Sequence, residues 1–254
     1  MTLLAVERIK LFSTRSPWWC MLLALVLTTG ITAIIAINWD GTPMPLVATV
    51  LSHTFGLYVV MVMAALAVTT EYRFGTIKST FQAVPDRVSP MVAKAVVVVL
   101  LSTLLGEAVA FGSWGLSRLL AEDTSQLALN SADAWRHVAG VGLVYGAGAL
   151  LALGVGALVR QTAGAVSIIL VFALVVESVV GFIPNIGDDI QEWMPFTVAS
   201  KFILGGSEGS GPDPSELGAT VVGELSPWGS FAYFAGIALV VYVLSLVVVK
   251  RRDA

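Results

Sequence analysis

The chain has 254 residues, of which 57% are hydrophobic and only 12% are charged, with a mean hydropathy of +0.87 and a formal net charge of −3. Soluble domains carry about twice that share of charge, so a water-soluble enzyme or binding module is excluded and an integral membrane protein is implied. A single cysteine, Cys20, excludes an intramolecular disulfide, and the two histidines, His53 and His137, stand far apart beside apolar runs and form no metal-ligand cluster.

Residues 1–17 put Val6, Ile9 and Phe12 on one helical face, with Glu7, Arg8 and Lys10 elsewhere, although Leu4 and Leu11 spoil a clean stripe. This reads as an interfacial amphipathic helix, broken at Ser16-Pro17 before the membrane. The alternative is a signal peptide. The apolar run that follows, residues 18–38, is about 20 residues long, which suits a span rather than a cleaved core, and no small-x-small site follows it. Trp18 and Trp19 suit the headgroup level.

A polar turn at 38–43 leads to a second span at 46–69. Residues 70–87, TEYRFGTIKSTFQAVPDR, then form a polar island between two apolar runs. Phe74, Ile77 and Phe81 fall at i, i+3 and i+7, which predicts one shared face of a short helix over 70–81. Glu71, Arg73, Lys78 and Arg87 surround that face, and Pro85 closes the segment. Such an element suits docking of a soluble partner; the plain alternative is a solvated connector.

The third span is expected at 90–116, the fourth at 137–159 and the fifth at 163–183. The fourth is rich in glycine, which lets helices approach closely. Residues 184–228 are studded with apolar groups such as Trp193, Met194, Phe196 and Phe202 despite several prolines and acidic residues. They read as an outer re-entrant segment with helical pieces at 188–204 and 215–225 around a flexible tip at 205–211. The sixth span is expected at 229–249. Together these predict an all-α membrane protein with six spans in one transmembrane domain.

Six spans put both termini on one side. With the termini cytoplasmic, eleven basic residues lie at cytoplasmic ends and only Arg118, Arg136 and Lys201 lie outside. That bias places the 70–87 island in the cytoplasm. The outer faces carry acidic residues from Asp40 to Glu224, which make either an acidic vestibule or a solvated surface.

No phosphate-binding loop, serine elbow, zinc-protease motif or kinase signature is present, so no enzyme chemistry and no catalytic residue or metal ligand is indicated. Two ionisable side chains fall inside spans, Glu107 and Glu177. Charge within a membrane is costly, so both are candidates for a substrate pathway, recognising a cation or polar headgroup or sensing protons. The alternative is a carboxyl hydrogen-bonded to a neighbouring helix. Ser102, Thr103, Ser113, Ser167 and Ser178 read as helix-to-helix hydrogen-bonding residues.

Glu71-Tyr72-Arg73-Phe74-Gly75-Thr76-Ile77-Lys78, with Ala83-Val84-Pro85 and Ala93-Lys94-Ala95 after it, resembles the "EYRxGTIR…AVPRR…AK" pattern of actinobacterial type-2 ABC exporter membrane subunits. The opening Glu7-Arg8-Ile9-Lys10-Leu11 and Ser13-Thr14-Arg15-Ser16-Pro17-Trp18-Trp19 are similar to the same group. Trp193-Met194-Pro195-Phe196 resembles its "LPF" element. Asp86 stands where that pattern has a basic residue.

The resemblance implies a permease without ATPase activity of its own, in the bacterial plasma membrane. Residues 70–87 would hold a cytoplasmic coupling helix, with Glu71, Arg73, Phe74, Ile77, Lys78 and Phe81 docking a separate ATPase subunit. Residues 1–17 would be the connecting helix beside it. Two permease protomers, as a homo- or heterodimer, would work with two ATPase copies, which bind the ATP and magnesium. The cargo would be a hydrophobic or amphiphilic small molecule such as a drug, an antibiotic or a lipid; no nucleic-acid partner is implied. Two other classes remain: a secondary transporter or channel using Glu107 and Glu177, and a non-transporting sensor or immunity subunit.

Overall fold

The computed structural model describes residues 3–84, 86–205 and 225–251, and every regular element among them is helical. Six helical stretches are long and apolar enough to cross a membrane: Arg15–Ile37, Leu46–Arg73, Val88–Leu120, Ala132–Val159, Thr162–Val180 and Pro227–Arg251.

Helix α1 (Leu3–Ser13) and helix α2 (Arg15–Ile37) are separated at Thr14, whose backbone is extended. The break therefore falls two residues before Ser16-Pro17, where it is expected. Pro17 instead sits in the first turn of α2, where a backbone N–H has no intrahelical acceptor and its loss costs nothing. The buried face of α1 is Glu7 and Leu11, not Val6, Ile9 and Phe12. Ile9 is 54% exposed and faces outward.

The second crossing begins with a buried 3₁₀ turn, Leu46–Val50, and continues as α3 (His53–Arg73). It overruns its expected end at residue 69, because nothing before Gly75 interrupts the helix. Gly75 has φ +73°, the left-handed conformation that glycine adopts without steric cost. The helix expected over 70–81 is thereby split into the last turn of α3, a Phe74-Gly75 corner, and α4 (Thr76–Ala83). Pro85, expected to close the segment, lies outside the described residues.

Helix α5 (Val88–Leu120) has 33 residues, longer at both ends than expected. At 1.5 Å per residue it measures about 50 Å, more than the roughly 30 Å of a hydrocarbon core, so its ends extend into the headgroup regions or beyond. Helix α6 (Ala132–Val159) begins five residues before its expected start, at the Ser131 cap, whose hydroxyl accepts the Ala134 N–H at 3.1 Å.

Helix α6 is the central span. It packs against α3, α5, α7 (Thr162–Val171), α10 (Pro195–Leu204) and α11 (Pro227–Arg251). Its glycines make those crossings close. A Cβ on Gly106 would stand 2.7 Å from the Gly142 Cα, and one on Gly154 would stand 3.0 Å from the Tyr242 backbone. In contrast, α2 and α7 bury little of their surface within the chain.

The fifth crossing is α7, a π-helical turn at Phe172–Val176, and α8 (Glu177–Val180). It ends three residues short of the expected 183. The outer piece expected at 188–204 is two helices, α9 (Gly187–Gln191) and α10. Pro195 starts α10 and holds Met194 extended, so one continuous helix is ruled out. The second outer piece, expected at 215–225, lies outside the described residues apart from Leu225, as does most of the tip at 205–211. Helix α10 is almost wholly buried against α6 and α11.

Candidate functional site

Two polar constructions stand out, one at each end of the bundle. The first surrounds the 70–87 island. Lys94 of α5 is 5% exposed and lies 2.5 Å from Glu7 Oε2 of α1 and 2.9 Å from Glu71 Oε1 of α3. Lys10 of α1 adds contacts of 2.8 Å to Glu7 and 3.3 Å to Glu71, and donates to the Thr80 hydroxyl of α4 at 3.1 Å. Two carboxylates and two ammonium groups thus tie α1, α3, α4 and α5 into one charge-balanced knot. Partial burial pushes the Lys10 ammonium pKa down, but its hydrogen bond to Glu7 and the charges of Glu71 and Glu7 outweigh that and raise it. Oε2 of Glu71 is buried and has no hydrogen-bond partner.

This knot explains where the six expected docking residues point. Glu71 faces inward and is consumed by Lys94 and Lys10. Ile77 is 3% exposed and belongs to the chain's own core, so neither is placed for an outside contact. Phe81 is half-buried against that core, with the Arg87 guanidinium 5.8 Å from its ring centre. Phe74 is not on the same helix as Ile77 and Phe81. It sits at the corner, 72% exposed, with the Arg73 guanidinium 5.6 Å from its ring centre. Lys78 is also exposed. The outward group is therefore Arg73, Phe74 and Lys78. Asp86 has a local structural use: its carboxylate accepts the Val88 N–H at 3.2 Å and the Ser89 hydroxyl, capping α5. Those two bonds, the Ser89 hydroxyl first, hold its pKa below the ordinary carboxylate value.

A cavity of about 610 Å³ opens beside the knot. Its walls come from α1, the first turn of α2, α3, α4 and α5.

The second construction holds α10. Glu177 is 5% exposed. Its carboxylate accepts the Phe196 N–H at 2.8 Å, the Thr197 N–H at 2.9 Å and the Thr197 hydroxyl at 3.1 Å. These are donors of the first turn of α10, so the carboxylate caps the positive end of that helix. The π turn before Glu177 rotates it by about 100° relative to an unbroken α-helix, which sets the face it presents. At the other end, Arg136 donates to the Phe202 carbonyl and, at 2.7 Å, to the Gly205 carbonyl. His137 bonds the Ile203 carbonyl through Nδ1. A cation thus meets the negative end of α10. Both side chains thus bond the ends of α10, Glu177 at its first turn and His137 at its last.

Glu107 is different. It is half-buried on α5, lies against the bare backbone of Gly142, and has no hydrogen bond or ion pair among the described residues. Of the hydroxyls expected to join helices, Ser178 bonds back to the Leu174 carbonyl in its own crossing, while Ser102 and Ser113 are buried without a partner. No cluster of three metal-ligating side chains occurs among the described residues.

Neither construction is legible in the sequence beyond its residue types. Glu7 and Lys94 are 87 residues apart, and Glu177 caps a helix 19 residues downstream. No family model matches this chain, and no curated protein matches it.

Proposed function

We propose that this chain is the membrane half of an ATP-driven exporter of the type-2 ABC kind, powered by a separate ATPase subunit that docks at α4. The observation that carries the proposal is α4 itself. It is a short helix fastened on one side to α1, α3 and α5 through Ile77, Thr80 and the charge knot. Lys78 on this helix is exposed, and so are Arg73 and Phe74 at the corner that leads into it. A large exposed aromatic beside cations is the composition of an interface anchor. A push on α4 would pass into α3 and α5 at once, and through α1 into α2, because the knot joins their ends.

In this reading the protein sits in a bacterial plasma membrane with both termini cytoplasmic, and the 184–228 segment re-enters the outer leaflet. It pairs with a second permease protomer and two ATPase copies that bind ATP and magnesium. It moves a hydrophobic or amphiphilic molecule outward. The docking residues are Arg73, Phe74 and Lys78, with Ile77 and Glu71 supporting the element from within.

Phe74→Ala combined with Lys78→Glu should abolish co-purification of an ATPase subunit while the chain still elutes as a folded, membrane-extracted species. Ile77→Ala should instead lower thermal stability. Undiminished capture by the double variant would refute the docking assignment. A second reading, a self-powered transporter, is favoured by one observation, the carboxyl of Glu107 without a partner among the described residues. It requires substrate movement by the purified chain alone in liposomes, lost in Glu107→Gln.

A further inference from the structure

We propose that the seam between α5 and α6 at Glu107 binds a lipophilic amine, with its ammonium head against the Glu107 carboxylate and its aliphatic tail along α5 toward the middle of the membrane. The site rests on the reading that this chain carries an amphiphilic cargo, and it names the class of that cargo whatever drives the movement. Two side chains one helical turn apart form it. Glu107 and Thr103 are both half-buried on α5, and both lie in notches that glycine leaves on α6. A Cβ on Gly142 would stand 2.7 Å from the Glu107 Cδ, and one on Gly146 would collide with the Thr103 hydroxyl. Neither side chain has a hydrogen bond or ion pair among the described residues and, unlike Oε2 of Glu71, their oxygens are not buried. A threonine inside a helix commonly bonds the carbonyl one turn back, as Thr29, Thr69 and Thr70 do. Thr103 makes no such bond, which leaves its hydroxyl available beside the carboxylate.

The depth of the pair makes a cation the matching ligand. Trp114, seven residues further along α5, donates its indole N–H to the Leu127 carbonyl at 2.8 Å, and Trp135 in the first turn of α6 is exposed. Both mark the headgroup level at the end of the bundle remote from α4. Seven residues of helix rise about 10 Å, which puts Glu107 among acyl chains. A carboxylate there is costly unless a cation meets it, and among the described residues no lysine or arginine does. A proton alone would remove the charge but leave the O–H and the carbonyl without partners in hydrocarbon.

The surroundings choose which cation. Leu100 and Leu104, 59% and 66% exposed, precede Glu107 by seven and three residues and share its helical face. Leu143, next to Gly142 on α6, is exposed as well. A bare metal ion would find one carboxylate and one hydroxyl, far short of the roughly six oxygens a hard cation takes. An alkylammonium brings three N–H donors for the carboxylate and the Thr103 hydroxyl, and its own chain covers the leucines. Phe111, one turn beyond Glu107 with its ring centre 6.2 Å from that of Trp135, closes the outer side with the kind of surface that attracts an ammonium.

The test uses the full chain, without any ATPase subunit, in phosphatidylcholine vesicles at neutral pH. The probes are traces of dodecylamine and of dodecanol, each carrying the same diazirine midway along the chain. The amine should label peptides holding Leu100, Leu104 and Leu143 at least about tenfold more than the alcohol, the gain expected for one charge-assisted hydrogen bond. Both are normalised to labelling at the exposed α2 residues Val26 and Ile34. Glu107→Gln, which keeps the shape and removes the charge, should bring the amine down to the level of the alcohol, and Thr103→Val should lower it by a smaller factor. Equal labelling by the two probes, or amine labelling unaltered in either variant, overturns the proposal. So does a Leu104→Cys chain that closes an intermolecular disulfide while the amine labels nothing at the seam, which would give this face to a second copy. Should the variants fail to fold, the comparison of the two probes on the unaltered chain decides alone. Because no ATPase is present, a failure of ATPase capture leaves this result standing, and a failure here leaves the docking assignment standing.

Discussion

Lys94 and Lys10 look alike in the sequence and differ in what their removal would do. Lys94 is enclosed between two carboxylates, whereas the Lys10 side chain is 34% exposed. Deleting one member of a buried ionic group strands the other charges and costs about 3–5 kcal/mol, while a half-exposed pair contributes far less. Lys94→Met should therefore lower the melting temperature of the detergent-solubilised chain sharply, and Lys10→Met only slightly; equal shifts would contradict the burial order. The Lys10 contribution also has a pH signature. Its pKa is raised above the ordinary 10.5, so its stabilisation is complete below about that pH and is lost as the pH climbs through the higher folded value. A stability profile of Lys10→Met against the parent should converge at strongly alkaline pH.

At the scale of the element, α10 has only ten residues, too few to persist on propensity alone. Burial of its side chains and charges at both ends hold it. Glu177→Ala would leave two backbone N–H groups and the Thr197 hydroxyl without their acceptor in a buried setting. The expected cost is about 1–3 kcal/mol, with Glu177→Gln losing less because one amide oxygen remains. Limited proteolysis between α8 and α10 should report it: cleavage rising in the order parent, Gln, Ala supports the cap, and no change in the Ala variant would contradict it. The fourth and fifth crossings are legible in the sequence, because an apolar run of that length satisfies its backbone inside a membrane only as a helix. Their ends are less so. Ser131 and Asp133 lengthen α6 past the first strongly apolar residue, and Pro195 divides what periodicity alone reads as one helix. The Phe74-Ile77-Phe81 stripe fails for a similar reason: the i, i+3, i+7 rule presumes an unbroken helix, and Gly75 turns the chain inside it.

For the whole molecule, composition and run length suffice for six crossings and an all-helical class. They do not reveal which crossing is central. That depends on the glycines of α6 meeting Gly106, Val68 and Tyr242 at close quarters, contacts between residues far apart in the chain. Nor do they reveal that four charged residues, Glu7, Glu71, Lys10 and Lys94, neutralise one another rather than an outside partner.

The clamped α10 has a mechanical consequence. Helix α6 joins α7 through a short turn at Arg160-Gln161, and α8 returns to α6 through Glu177, α10 and the Arg136-His137 grip. Two long struts hinged at one tip and braced at the other form a truss, and a braced truss does not rack. Spans four and five should therefore travel as a single girder in any working stroke, with the give confined to the α2, α3 and α5 side. In the proposed exporter, spin labels on α6 and α8 should report one unchanging separation whatever nucleotide or cargo is added, and a separation that shifts between conditions would show the brace to be broken.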